Sequence, residues 1–281
     1  MGFMKEKIFL PVKSDVIFRL FFADERNLEE LESFLKSVVH LPDGEYSVLE
    51  VSDSHLLREF DGDKLAIVDV KLKTRSGKIV HIEIQLQVSS ALRQRIVYYG
   101  AKLITEQIGS GDDYDKIKQV ISIVITEEKL IPKSERYHHR FTMYDPDAGV
   151  ELTDVIEIHT IELEKLPPDT DGTELYDWAS FIAASSEEEM TVVAERNPQV
   201  GKAVMKFKEL SADERARDLY ERREKARRDA AMREKWAVKK NQFEMAKIML
   251  ANGEHIDKIM LYTRLEREEI ENLSDDEWQG F

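Results

Sequence analysis

Apolar positions in the first quarter of the chain recur at helical spacing. Asp15 to Phe22 and Asn27 to Val39 read as two helices, the second with a stripe of Leu28, Leu31, Phe34, Leu35, Val38 and Val39, and with Asn27 and Glu30 at capping-box spacing. A short strand is expected at Tyr46 to Val51. The period then switches to two. Val68, Val70 and Leu72 alternate with Asp69, Lys71 and Lys73, and after a turn Val80, Ile82, Ile84, Leu86 and Val88 alternate with His81, Glu83, Gln85 and Gln87. This predicts a β-hairpin with one apolar and one polar face. Arg75-Ser76-Gly77 fits a three-residue loop with a left-handed glycine, which sets Thr74 opposite Lys78 and therefore Asp69 opposite Glu83, both on the polar face.

Ser89 and Ser90 offer an N-cap for a helix over 91–108, stopped by Gly109. Lys118 to Thr126 is apolar on both faces, as a central strand would be, and another strand is expected at Val155 to Leu163. Strands separated by a crossover helix imply an α/β layer arrangement. After Pro167-Pro168 the pattern is helical throughout: 174–184, 187–196, 199–210, a long polar helix over 212–240 laced with i, i+4 ion pairs, and short helices near 243–251, 256–262 and 266–272. The change to an unbroken polar helix near Ser211 divides the chain into residues 1–210 and a helical region, 211–281.

Composition narrows the chemistry. The 281 residues include no cysteine, which removes disulfides, thiolate metal sites and a cysteine nucleophile, so any metal must sit on carboxylate or imidazole. No apolar run approaches the ~18 residues a membrane span needs, and the start shows no signal-peptide core, so the expectation is a cytoplasmic protein without membrane attachment. The net charge of −15 argues against a protein that coats nucleic acid non-specifically, though not against an enzyme with a local basic site.

Two carboxylates a strand-width apart repel each other, and a divalent cation is the natural neutraliser. A hard ion such as Mg²⁺ takes oxygen ligands from one or two carboxylates and a substrate phosphate, which points to phosphodiester hydrolysis. Here the residues resemble a known family. Asp69, followed after thirteen residues by Glu83-Ile84-Gln85, is similar to the core motif of PD-(D/E)XK nucleases. Lys13-Ser14-Asp15-Val16-Ile17-Phe18-Arg19, Asp63 to Lys71, Gly77 to Gln85 and Arg95-Ile96-Val97-Tyr98-Tyr99 resemble its transposase-like branch, the recombination-promoting nucleases.

The resemblance implies a restriction-endonuclease-like α/β core, a mixed sheet flanked by helices, followed by an all-helical C-terminal region. It also implies a DNA endonuclease that uses Mg²⁺, with Mn²⁺ as a substitute. Asp69, Glu83 and the Ile84 carbonyl are the implied metal ligands, Gln85 stands where the superfamily has lysine, and Asp15 is a candidate for the outer metal shell. Gln85 can orient water but brings no positive charge; Lys71, on the same face, is the candidate to supply it, and Arg95 the candidate phosphate contact. Sequence alone equally allows lysines that keep a hairpin soluble, and His138-His139 reads as a loop or strand-edge pair. The four glutamates of Glu266 to Glu271 oppose DNA reading by the tail, which suits a homo-oligomer or partner contact better. The alternative function is a silent nuclease fold serving as an assembly module through that tail.

Overall fold

The computed structural model describes residues 9–42, 44–47, 50–52 and 70–273. Among them six strands form one mixed sheet in the order β1-β2-β3-β4-β6-β5, with β1 Glu50–Ser52, β2 Val70–Lys73, β3 Ile79–Gln85, β4 Val120–Thr126, β5 His138–Asp145 and β6 Val150–Glu162. The β2–β3 and β5–β6 pairs are antiparallel, whereas β3–β4 and β4–β6 are parallel. Helix α3, Leu92–Thr105, makes the crossover that parallel pairing of β3 with β4 requires.

One face of the sheet carries most of the core. Val70, Leu72, Val80, Ile82, Ile84, Ile121, Ile123 and Ile125 pack against α1 (Asp15–Phe22), α2 (Leu28–Val38), α4 (Glu174–Ala183), α5 (Glu187–Arg196) and α6 (Pro198–Ala212). An aromatic cluster centres on Trp178, whose ring centroid lies 5.9 Å from both Phe34 and Phe181 and 6.2 Å from Phe22. On the opposite face, α3 packs through a small cluster in which Leu92 and Ile96 meet Val124 and Leu130. Gly100 lets α3 approach: a Cβ there would stand 2.9 Å from the Ile156 side chain.

The chain divides into two compact units, Met1–Tyr220 and Glu221–Phe281, and the division falls inside α7 (Glu214–Ala251). The second unit has its own core, in which Ala246 of α7 meets Ile259 of α8 (Ile256–Thr263) and Ile270 of α9 (Arg267–Glu271).

Several local expectations are corrected. Asn27 does not cap α2, because its amide donates to the Phe21 carbonyl at 2.8 Å; Glu30 turns instead to Lys206 of α6 at 2.6 Å. The stretch expected as a strand from Tyr46 opens as a single 3-10 turn, Glu45–Ser47, with β1 beginning at Glu50. Of the two readings of His138-His139, a loop or a strand edge, the second holds: they open β5, the edge strand of the sheet. The long polar helix does not end near residue 240 but runs on through 251.

Candidate functional site

The site is built on the β2–β3 hairpin. Its described pairs are Val70↔Ile82, Lys71↔His81, Leu72↔Val80 and Lys73↔Ile79. The turn closes with Thr74 N–H donating to the Lys78 carbonyl at 2.9 Å, and Gly77 takes the left-handed conformation at φ 87°. This is the register expected from the sequence, the one on which Asp69 is placed opposite Glu83. Asp69 itself lies outside the described residues.

Glu83 sits near the C-terminal end of β3, covered by α3 and only 3% exposed. Its Oε1 accepts from Gln85 Nε2 at 2.7 Å and from Arg95 at 3.0 Å. Burial pushes the Glu83 carboxyl above the ordinary glutamate range, while Arg95 and Gln85 pull the other way. Among the described residues Oε2 accepts no hydrogen bond, nor is it one of the fully enclosed polar atoms that lack a partner. One arginine therefore engages one oxygen, and the second oxygen keeps access.

Arg95, the candidate phosphate contact, is thus brought to Glu83. It stands beside Leu92 and Ile96, the buried positions of the first turns of α3, so the helix face that meets the sheet carries it there. Its Nε is buried without a partner, leaving donor capacity in the site. Lys71 goes elsewhere: its Nζ lies 3.8 Å from Glu106 at the C-terminal end of α3, in register with His81 rather than Glu83. Gln85 joins Glu83 through its side chain. Ile84 faces the core at 3% exposure. Asp15 opens α1, where its Oδ1 accepts from Val16 N–H at 2.9 Å, as a first-turn acid does.

Two neighbouring residues were not singled out as site residues. Glu127 follows β4, its N–H donating to the Gln85 carbonyl at 3.3 Å, and its carboxylate accepts from Lys13 at 2.5 Å. Parallel pairing of β3 with β4 brings the two strand ends together, and only that topology reveals Glu127. Lys13 stands in the motif quoted for α1 without a role assigned to it.

A family model described as PD-(D/E)XK nuclease family transposase matches residues 12–237. The chain belongs to that family. No curated protein and no solved structure matches it. In this PD-(D/E)XK family member the match covers the whole sheet, α1 to α6 and the first part of α7.

The described donor set suits a hard cation in kind, since it offers a carboxylate oxygen and no thiolate. No group of three or more His, Asp or Glu residues positioned to hold a metal occurs among the described residues. Glu83 is therefore the one ligand of the implied set whose carboxylate can be placed.

The face of β3 that carries Glu83 also carries His81, 2% exposed, whose ring nitrogens have no partner among the described residues. Burial, with Lys71 adding to it, drives the His81 pKa down to about 4 from an ordinary 6.5. A base with a depressed folded pKa binds fewer protons folded than unfolded, so its contribution holds above 6.5 and is lost as pH falls toward 4. We expect His81→Leu to flatten the fall in unfolding free energy across that window, by at most about 1.4 kcal/mol per pH unit for the one proton removed. Urea denaturation at a series of pH values measures it, and an unchanged slope would refute the assignment.

Proposed function

We propose that the protein is a Mg²⁺-dependent endonuclease that hydrolyses DNA phosphodiesters, linked to recombination or mobile elements. The observation that carries this reading is the hairpin register, which on the sequence pattern pairs Asp69 with Glu83, a carboxylate whose Oε2 has no described partner. Asp69 and Glu83 would hold the ion, with the Ile84 carbonyl as a third ligand. Bound there, Mg²⁺ would act as a Lewis acid that acidifies water and offsets charge at phosphorus. Gln85 would orient the attacking water through its amide.

Positive charge near the phosphate falls to Arg95 in this reading rather than to Lys71, since Arg95 reaches Glu83 and Lys71 reaches Glu106. A guanidinium keeps its charge throughout and offers paired donors to phosphate oxygens. Incubating supercoiled plasmid with the protein and Mg²⁺ or Mn²⁺ tests the proposal. Metal-dependent conversion to nicked or linear DNA, abolished by chelation, is expected; intact plasmid in every condition would refute it.

The Arg95–Glu83 contact favours a second reading, a silent nuclease fold acting as an assembly module. A cation already neutralises the carboxylate there, as it would in a site that never receives a metal. Exposed Leu261 and Tyr262 on α8, 75% and 62% accessible, would be the contact surface of such a module. Absence of cleavage together with a dimer in sedimentation would select it.

A further inference from the structure

A cleft of about 500 Å³ opens between the end of α2, the start of β5 and the start of α4, on the sheet face opposite α3. Its volume falls in the range of small-ligand sites. Three of its residues make a consistent recognition set, Arg136, His40 and His138. Among the described residues neither the Arg136 guanidinium nor the His40 ring has a hydrogen-bond or ion-pair partner. Lys36, also lining the cleft, is paired with Glu32 at 2.5 Å.

His138 is held by a relay running back into the sheet. Its Nε2 lies 2.9 Å from His159 Nδ1; His159 Nε2 lies 2.6 Å from Glu157 Oε1; and Glu157 Oε2 accepts from Arg140 at 2.8 Å. Burial pushes Glu157 up, but the hydrogen bonds from His159 and Arg140 prevail and hold it down to about 2, so it is an acceptor only. His159 Nε2 therefore donates to Glu157, and one proton lies between His159 Nδ1 and His138 Nε2. The relay uses His138 Nε2 and leaves Nδ1 on the far side of the ring. Among the described residues Nδ1 has no partner and is not one of the enclosed polar atoms, so it meets the open cleft.

A guanidinium recognises an oxyanion through paired donors, whereas an imidazole nitrogen recognises a hydroxyl. We propose that this cleft binds a phosphate monoester bearing a hydroxyl group, a ligand of mononucleotide size, with Arg136 on the phosphate and His138 Nδ1 hydrogen-bonded to the hydroxyl. The inference is independent of the nuclease reading, because Glu83 lies on the other face of the sheet.

Calorimetric titration of the full chain in chelator, with 5′-dAMP, inorganic phosphate and deoxyadenosine, tests it. One 5′-dAMP per chain is expected to bind, inorganic phosphate more weakly, and deoxyadenosine not at all. Arg136→Gln is expected to weaken 5′-dAMP by about tenfold or more, the worth of one charge-assisted contact. Exposed Arg136 can be replaced without disturbing the core. Equal affinity for phosphate and 5′-dAMP would show that His138 makes no hydroxyl contact and would overturn the proposal. No saturable binding of either, undiminished binding by Arg136→Gln, or loss of binding in Glu83→Gln would overturn the proposal.

Discussion

Replacing either carboxylate, Asp69→Ala or Glu83→Ala, is expected to lower metal-dependent plasmid nicking by roughly 10²–10³, the scale on which a single charge-stabilising group in an active site acts. The two variants differ in what else they change. Glu83→Ala also leaves Arg95 of α3 without its carboxylate, beside the small cluster around Leu92 and Ile96. Glu83→Gln keeps the volume and a hydrogen-bonding oxygen while removing the charge, so its loss of activity at parental stability would separate chemistry from folding. Nicking at the parental rate by both alanine variants would end the endonuclease proposal, since no other described carboxylate cluster could replace them.

The largest expected loss of stability is at Lys165, remote from Glu83. Its Nζ lies 2.6 Å from Glu162 Oε2 and donates to the Ile131 carbonyl at 2.7 Å, with both side chains at or below 1% exposure. Glu162 Oε2 also accepts from Ile131 N–H at 3.0 Å, so the pair pins the segment after β4 to the end of β6. Lys165→Met leaves a carboxylate buried without its cation and is expected to cost about 3–5 kcal/mol. In a thermal melt that is a drop on the order of 10 °C. The double variant Glu162→Leu/Lys165→Met is expected to recover part of the loss, because no buried charge is left unpaired, while the Ile131 N–H and carbonyl still lose their partners. A single variant melting like the parent would show that the pair is not the clamp described.

Much of this was legible in the chain because it is local. The expected span of α1, Asp15 to Phe22, coincides with the helix, and the left-handed glycine in Arg75-Ser76-Gly77 fixed the hairpin register that the described pairs follow. What stayed hidden depends on which surfaces meet. Alternation marks two faces of a strand but does not say that both are covered, so the polar face that carries His81 and Glu83 gives no sign that both are buried. Asn27 and Glu30 have cap spacing, but tertiary partners, the Phe21 carbonyl and Lys206, take both side chains. β5 carries a mixed, largely exposed pattern, as an edge strand does, and this hides it from periodicity. The approach of Arg95 to Glu83 and of Lys13 to Glu127 follows from crossover topology, which no spacing encodes.

In the endonuclease reading, holding Glu83 out of water sets usefulness against durability. Burial raises its carboxyl pKa, so the ionised form that would bind the ion is the one desolvation opposes. Evolution for heat resistance alone would drift toward amides or aliphatics at this position, and a thermally hardened descendant lacking the acid would be a relic of the fold rather than an improved enzyme.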